Sequence, residues 1–250
     1  DAQVLALYNS GQPLDATKSA AASNLVGYWR NNSLESTGKW EDLSANSNHG
    51  TVNGTFDTIF FQEGITSGKD SQGVTTNITH PSGGAVYFGG VSDYIDLGKT
   101  IIIEGEFTLE MWIKTDDFTG NMFCGLNADN YQSINTSTKF RMKLDGTQKS
   151  IDINDVGDHA TDTLLVNEWF HFALTRNSAD SLTIYVNGAP QGDDIELNVT
   201  DKFQVRYFGT DDASTNFFKG WLDEVRLYHK GLSAAQVTKN YKHGKSKHSN

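Results

Sequence analysis

The stretch EFTLEMWIKT, residues 106–115, alternates apolar and polar side chains almost without a break. Phe107, Leu109, Met111 and Ile113 fall on one side, and Thr108, Glu110, Trp112 and Lys114 on the other. A period of two is the signature of a β-strand with one buried face, and it excludes an amphipathic helix over the same residues. Similar short runs recur from residue 85 onward: AVYFGG, YIDLG, KFRMKLDG, KSIDIN, EWFHFALTR, SLTIYVNG, FQVRYFG and FKGWLDEVRLY. Asn187-Gly188 closes one alternating run with the dipeptide best suited to a two-residue hairpin. Strands of even spacing with almost no helix between them predict an all-β protein of antiparallel sheets packed face to face. The chain has 250 residues, with 24 Gly, 14 Phe, 9 Tyr and 5 Trp but 3 Pro, which suits a single large sandwich.

Two short phrases at the ends of the chain share a pattern: Ala-Gln-Val, three free positions, Tyr, two free positions, Gly. The second runs from Ala235 to Gly244. Ser233 and Gln236 before it have the spacing of a capping box, Val237 and Tyr241 lie one turn apart, and Gly244 can end the helix in a left-handed conformation. The first runs from Ala2 to Gly11 with the same Val4, Tyr8 and Gly11, but no capping residue precedes it. The expected organisation is therefore a remnant helix and linker of a preceding module over 1–21, one domain over 22–243, and a solvated polar tail over 244–250.

A net charge of -11 argues against nucleic acid as a partner, since that binding needs a positive field. It is compatible with cations. Cys124 is the single cysteine, so no disulfide forms within the chain, and it is expected to be a small buried hydrophobe. No apolar run reaches the length of a membrane-spanning helix.

NLVGYWR, DLSANSNHGT, AVYFGGVSDYIDLG, FTLEMWIK, NEWFHFALTR, LTIYVNG and FFKGWLDEVRLYHKGLSAAQV, in that order, resemble the laminin-G-like modules of the concanavalin A-like lectin and glucanase superfamily. The resemblance covers about residues 24–242. It implies a jelly-roll β-sandwich of two curved antiparallel sheets, with short helices at the two ends. It also implies that the Ala2–Gly11 phrase looks like the closing helix of a neighbouring module. Modules of this kind occur in bacterial surface proteins and marine bacteriophage structural proteins, which sets an extracellular, cell-surface or virion location as the expectation.

Calcium is the expected cofactor. It takes six to eight oxygen ligands, and the WEDLSANSNHG segment offers Asp42, Asn46, Asn48 and the carbonyls near Gly50. The resemblance implies a structural calcium held by an early loop and an Asp of the last long strand, which selects Asp42, Asn48, Gly50 and Asp223. The same residues also read as an Asx-rich turn, with Asp223 paired to a basic neighbour such as Arg226. Asp152, Asp155, Asp158 and Asp162 lack the spacing of an EF-hand and read as solvated loop residues.

For catalysis, Glu106 and Glu110 are separated by about 13 Å along a strand, wider than the carboxylate pairs of either class of glycosidase. The glucanase phrase E-x-D-x-E is absent. His171 reads as a core histidine, and Trp112 and Trp221 as packing residues or as sugar-stacking platforms. The expected function is non-catalytic recognition or adhesion, calcium-supported, with a glycan or protein on a cell or virion surface as partner. Asp129, Asn130, Tyr131, Asp211 and Asp212 are its expected ligand contacts. A purely architectural phage component is the alternative, with a polysaccharide-degrading enzyme third.

Overall fold

The computed structural model describes residues 15–30, 38–54, 67–69, 75–77, 85–116, 119–125, 142–145, 150–153, 157–160, 164–197, 199, 202–210 and 217–248. The strands in chain order are β1 (Leu25–Trp29), β2 (Lys39–Trp40), β3 (Gly50–Asn53), β4 (Ser67–Lys69), β5 (Thr75–Asn77), β6 (Val86–Gly89), β7 (Tyr94–Glu104), β8 (Phe107–Thr115) and β9 (Thr119–Gly125). They continue with β10 (Met142–Asp145), β11 (Ser150–Ile153), β12 (Gly157–Ala160), β13 (Trp169–Arg176), β14 (Ser181–Val186), β15 (Ala189–Glu196), β16 (Lys202–Phe208) and β17 (Lys219–Tyr228). Among the described residues one α-helix, α1, spans Ala234–His248.

Two antiparallel sheets form a jelly-roll sandwich. The first has the order β1-β17-β8-β13-β14-β15, with β6 also paired to β17; the second runs β12-β11-β10-β9-β16-β7-β3-β2. The alternation read in β8 holds: Phe107, Leu109, Met111 and Ile113 all join the core between the sheets. Trp29 and Trp40 stack at 5.2 Å in that core, with the edge of Phe208 against Trp40. The Asn187-Gly188 turn joins β14 to β15 with positive φ at both residues, as its dipeptide requires.

Three expectations change. The polar stretch before residue 22 is folded: Asp15 caps a 3-10 turn over Ala16–Lys18, a second turn spans Ala22–Asn24, and Ala16 and Ala21 are buried on the outer face of the first sheet. Small side chains that read as linker are what close packing on a sheet demands. At the other end, α1 does not stop at Gly244 but continues through the expected polar tail to His248, which is buried. Gly244 is there for space. A Cβ on it would lie 2.4 Å from Nε1 of Trp112, so only glycine lets the helix rest on that ring. Trp112, in turn, is buried between Tyr241 and His248 and stacks on both, so it is no exposed platform. The Ala2–Gly11 phrase lies outside the described residues.

Candidate functional site

A cleft of about 510 Å³ opens at the rim where the two sheets meet, lined by Ser23, Asn24, Leu25, Val26, Asn46, Asn48, Lys99, Thr100, Ile101 and His229. Each of its three walls departs from regular strand geometry. In the first sheet, Leu25 pairs with Tyr228 but Gly27 with Leu227, so Val26 is an extra residue, a bulge. In the second, Ile101 pairs with Val205 and Asp96 with Tyr207, which leaves four residues, Leu97 to Thr100, opposite Arg206 alone. Gly98 makes that excursion possible with φ +70°, and it throws Lys99 and Thr100 out of the ladder toward the first sheet. Arg206 closes the bulge from across the strand. Its guanidinium donates from Nε and one terminal nitrogen to the two oxygens of Asp96, at 2.9 and 3.1 Å, while the Gly98 N–H donates to Asp96 Oδ1 at 2.8 Å. Partial burial opposes ionisation of Asp96, but these hydrogen bonds outweigh it and hold the carboxyl below its usual range.

The third wall is the loop from Asp42 to Asn48. The Asp42 carboxylate accepts four hydrogen bonds, from the N–H groups of Tyr28, Ser44 and Asn48 and from Ser44 Oγ, each at 2.8 Å. Asn46 and Asn48 then donate their amide groups to the carbonyls of Leu25 and Val26, at 2.7 and 2.6 Å, which pins the loop to the bulge of β1. His229 completes the lining. Its N–H donates to the Asn24 carbonyl at 2.8 Å, and Nε2 lies 3.2 Å from the Glu104 carbonyl, so Nε2 carries the hydrogen.

Calcium can be tested against this donor set. Four donors fill the acceptor positions of the Asp42 carboxylate, so a cation would have to displace the bonds that shape the loop. Asn48 gives its carbonyl to Trp29 Nε1 and its amide to Val26, and Gly50 is packed against Ile95 and Trp40, where a Cβ would fall 2.4 Å from the Ile95 methyl. Asp42 bridges β1 on the side away from β17, which places the backbone of Asp223 about two strand spacings, or about 10 Å, away. Among the described residues no three His, Cys, Asp or Glu side chains are grouped to hold a metal. The residues present do not fit a calcium ion shared by Asp42 and Asp223.

Asp223 belongs to a different cluster, on the outer face of the first sheet under α1. Asp223 pairs with Trp112 and Arg226 with Glu110, so two residues of β17 oppose Met111 alone. This bulge, with Glu224 at φ +50°, puts the consecutive carboxylates Asp223 and Glu224 on the same outer face. Asp223 Oδ2 meets His248 Nε2 at 2.9 Å. Arg226 instead pairs with Glu110 at 3.0 Å and Glu224 at 2.9 Å, and Glu224 also accepts from Tyr28 and Arg30. Asn240 of α1 donates to both oxygens of Glu110. His171 is wholly buried 3.7 Å from Glu110, and burial, reinforced by the Arg226 charge and by His248, lowers its pKa to about 3. Burial likewise pushes the Tyr28 and Tyr228 phenols well up, reinforced by Glu224 and Glu110 respectively.

The segment with Asp129, Asn130 and Tyr131 and the residues Asp211 and Asp212 lie outside the described residues, as do the side chains of Cys124, Asp152 and Asp158. Lys99, Thr100 and His229 were not foreseen. A signal for the first two stands in the sequence: an isolated glycine within Leu97-Gly98-Lys99-Thr100-Ile101 marks a bulge in a strand.

The double-layered antiparallel jelly roll is a concanavalin A-like architecture. The chain belongs to the Concanavalin A-like lectin/glucanases superfamily, through the laminin-G-type family model that matches residues 88–238. No curated protein matches the chain significantly. Among solved structures, domain 4 of the GH43 extracellular arabinanase AbnA from Geobacillus stearothermophilus, in complex with arabinotriose, is similar at 17% identity and a TM-score of 0.55 over 87% of this chain and 98% of that one. Trypanosoma rangeli sialidase is similar at 13% identity and a TM-score of 0.59, over 96% of this chain but 38% of the sialidase. The botulinum neurotoxin serotype G binding domain follows at 14% identity and 0.52, over 88% of this chain and 51% of that one. At such identities these likenesses establish the fold.

Proposed function

We propose that this domain is a non-catalytic carbohydrate-recognition module, and that the rim cleft is its binding site. The observation that carries this reading is the convergence of two bulges and the Asp42-ordered loop on one polar cleft. Bulges of this kind re-aim side chains next to binding sites; here Leu97 still packs into the core while Lys99 and Thr100 are turned to the cleft. The cleft volume falls within the range of about 300–1,000 Å³ for small-molecule sites. Its serine, threonine, lysine and histidine side chains match the hydroxyls of a sugar ring, and the half-buried Val26 supplies apolar surface for a ring face. Among the described residues no carboxylate lines it, whereas glycoside hydrolysis requires a pair. A domain of the same fold is known with arabinotriose bound, which supports the reading by analogy of fold. The biological setting consistent with it is a module of a larger surface or virion protein, beside neighbouring modules, that contributes to adhesion.

Titration of the domain with a panel of neutral and acidic oligosaccharides, followed by NMR, tests the proposal. Thr100→Trp puts an indole at a residue that lines the cleft. Binding is expected in the wild-type domain and absent in the variant, with an unchanged melting temperature. Silence across the panel, or equal binding by the variant, overturns the reading.

A further inference from the structure

We infer that the cleft selects a saccharide bearing an anionic group, a uronate or a sulfate ester. This rests on the carbohydrate reading above and narrows it. The chain as a whole is acidic, at -11, so an anion would be an unexpected ligand on net charge alone. At physiological salt, however, the Debye length is about 8 Å, and the groups lining a cleft decide what enters it. Here the lining carries Lys99 and His229 and, among the described residues, no acidic side chain.

The carboxylates nearest to it in the chain are already committed. Asp42 is saturated by its four donors. Asp96 is held in a two-point contact by Arg206, and Glu104 is paired with Lys202. Lys99 is the exception. It is exposed, and among the described residues it makes no ion pair. The bulge opposite Arg206 therefore presents an uncommitted ammonium group at the mouth of a cleft whose acids have been neutralised by other partners. The His229 ring, with its hydrogen on Nε2 and directed at the Glu104 carbonyl, leaves Nδ1 as an acceptor for a sugar hydroxyl rather than for the anion, so the charge selection rests on Lys99. With the Asn46 and Asn48 amides already donating to backbone carbonyls, the Lys99 ammonium beside the hydroxyls is the main donor that the cleft offers. It favours a sugar that brings a negative charge over one that brings hydroxyls alone.

Isothermal titration with three chains of equal length tests this: an oligogalacturonide, its fully methyl-esterified counterpart, and a sulfated carrageenan oligomer. The esterified chain keeps the sugar and removes the charge. At least one charged chain is expected to bind about fivefold more tightly than the ester, with that advantage lost in Lys99→Gln and at high salt. A preference for the uronate or for the sulfate both support the inference and identify the anion. An ester that binds as tightly as the charged chains overturns it and leaves the carbohydrate reading standing, as does a preference that survives Lys99→Gln. Failure of all three chains to bind overturns this inference, and the carbohydrate reading too once the wider neutral panel is silent.

Discussion

Two polar clusters of this domain end in opposite states. The one under α1 contains Glu110, Asp223, Glu224, Arg30, Arg226 and His248; all but Arg30 are buried, and each carboxylate has a partner. The rim cleft holds amides, hydroxyls, a lysine and a histidine open to solvent. Burial separates them. Charges taken out of water must be satisfied by the protein itself, so the first cluster is closed to any ligand and serves to seat the helix. At the rim the Asn46 and Asn48 amides are held by backbone carbonyls, but Lys99 is exposed, and water solvates its charge.

The contrast can be broken most forcefully at Arg226. Arg226→Met leaves Glu110 and Glu224 buried without their shared cation, and it should cost about 3–5 kcal/mol of stability by urea unfolding. A loss below 1 kcal/mol would show that the cluster is hydrated and not sealed.

Next comes Asp42, which belongs to both worlds because it is buried yet shapes the open site. Asp42→Asn replaces one acceptor oxygen with a donor that faces existing donors, and a cost of about 2 kcal/mol is expected. Saccharide binding should fall with it, whereas Arg226→Met, refolded under stabilising conditions, should retain binding. Equal affinity in Asp42→Asn would separate the loop from the cleft.

The smallest effect sharpens the comparison through pH. His171 is held neutral by burial, with a pKa of about 3, while an unfolded histidine takes up a proton near about 6.5. The unfolded state therefore binds more protons between these values. Stability is full above about pH 6.5 and declines as pH falls toward 3. Unfolding free energies measured from pH 7 to 5, above the range where most carboxylates titrate, should show this slope in the wild type and lose it in His171→Phe. A slope unchanged by that substitution would place the titrating group elsewhere.

How much was legible beforehand varies with the range of the interactions. Strand alternation in β8, the hairpin at Asn187-Gly188 and the Ser233 and Gln236 cap rest on neighbours a few residues apart, and all three hold. The loop of Asp42 was legible as an Asx-rich turn, because its bonds to Ser44 and Asn48 are local. Its bond to the Tyr28 N–H, 14 residues away, was not. Asp223 was expected as a calcium ligand or as the partner of Arg226, and its partner His248 sat in what read as a solvated tail.

Periodicity and turn chemistry, both short-range, were enough for the sequence alone to determine an antiparallel β-sandwich class, the positions of many strands along the chain and the start of the closing helix. Where that helix ends, which acids are neutralised and where the cleft opens were settled only by the assembled sandwich. Trp112 must be in place before Gly244 has a ring to rest on, and Arg206 must face Asp96 before the bulge at Gly98 can hold Lys99 at the rim. Such contacts join residues far apart in the chain, and their energies depend on burial, a property that no local pattern encodes.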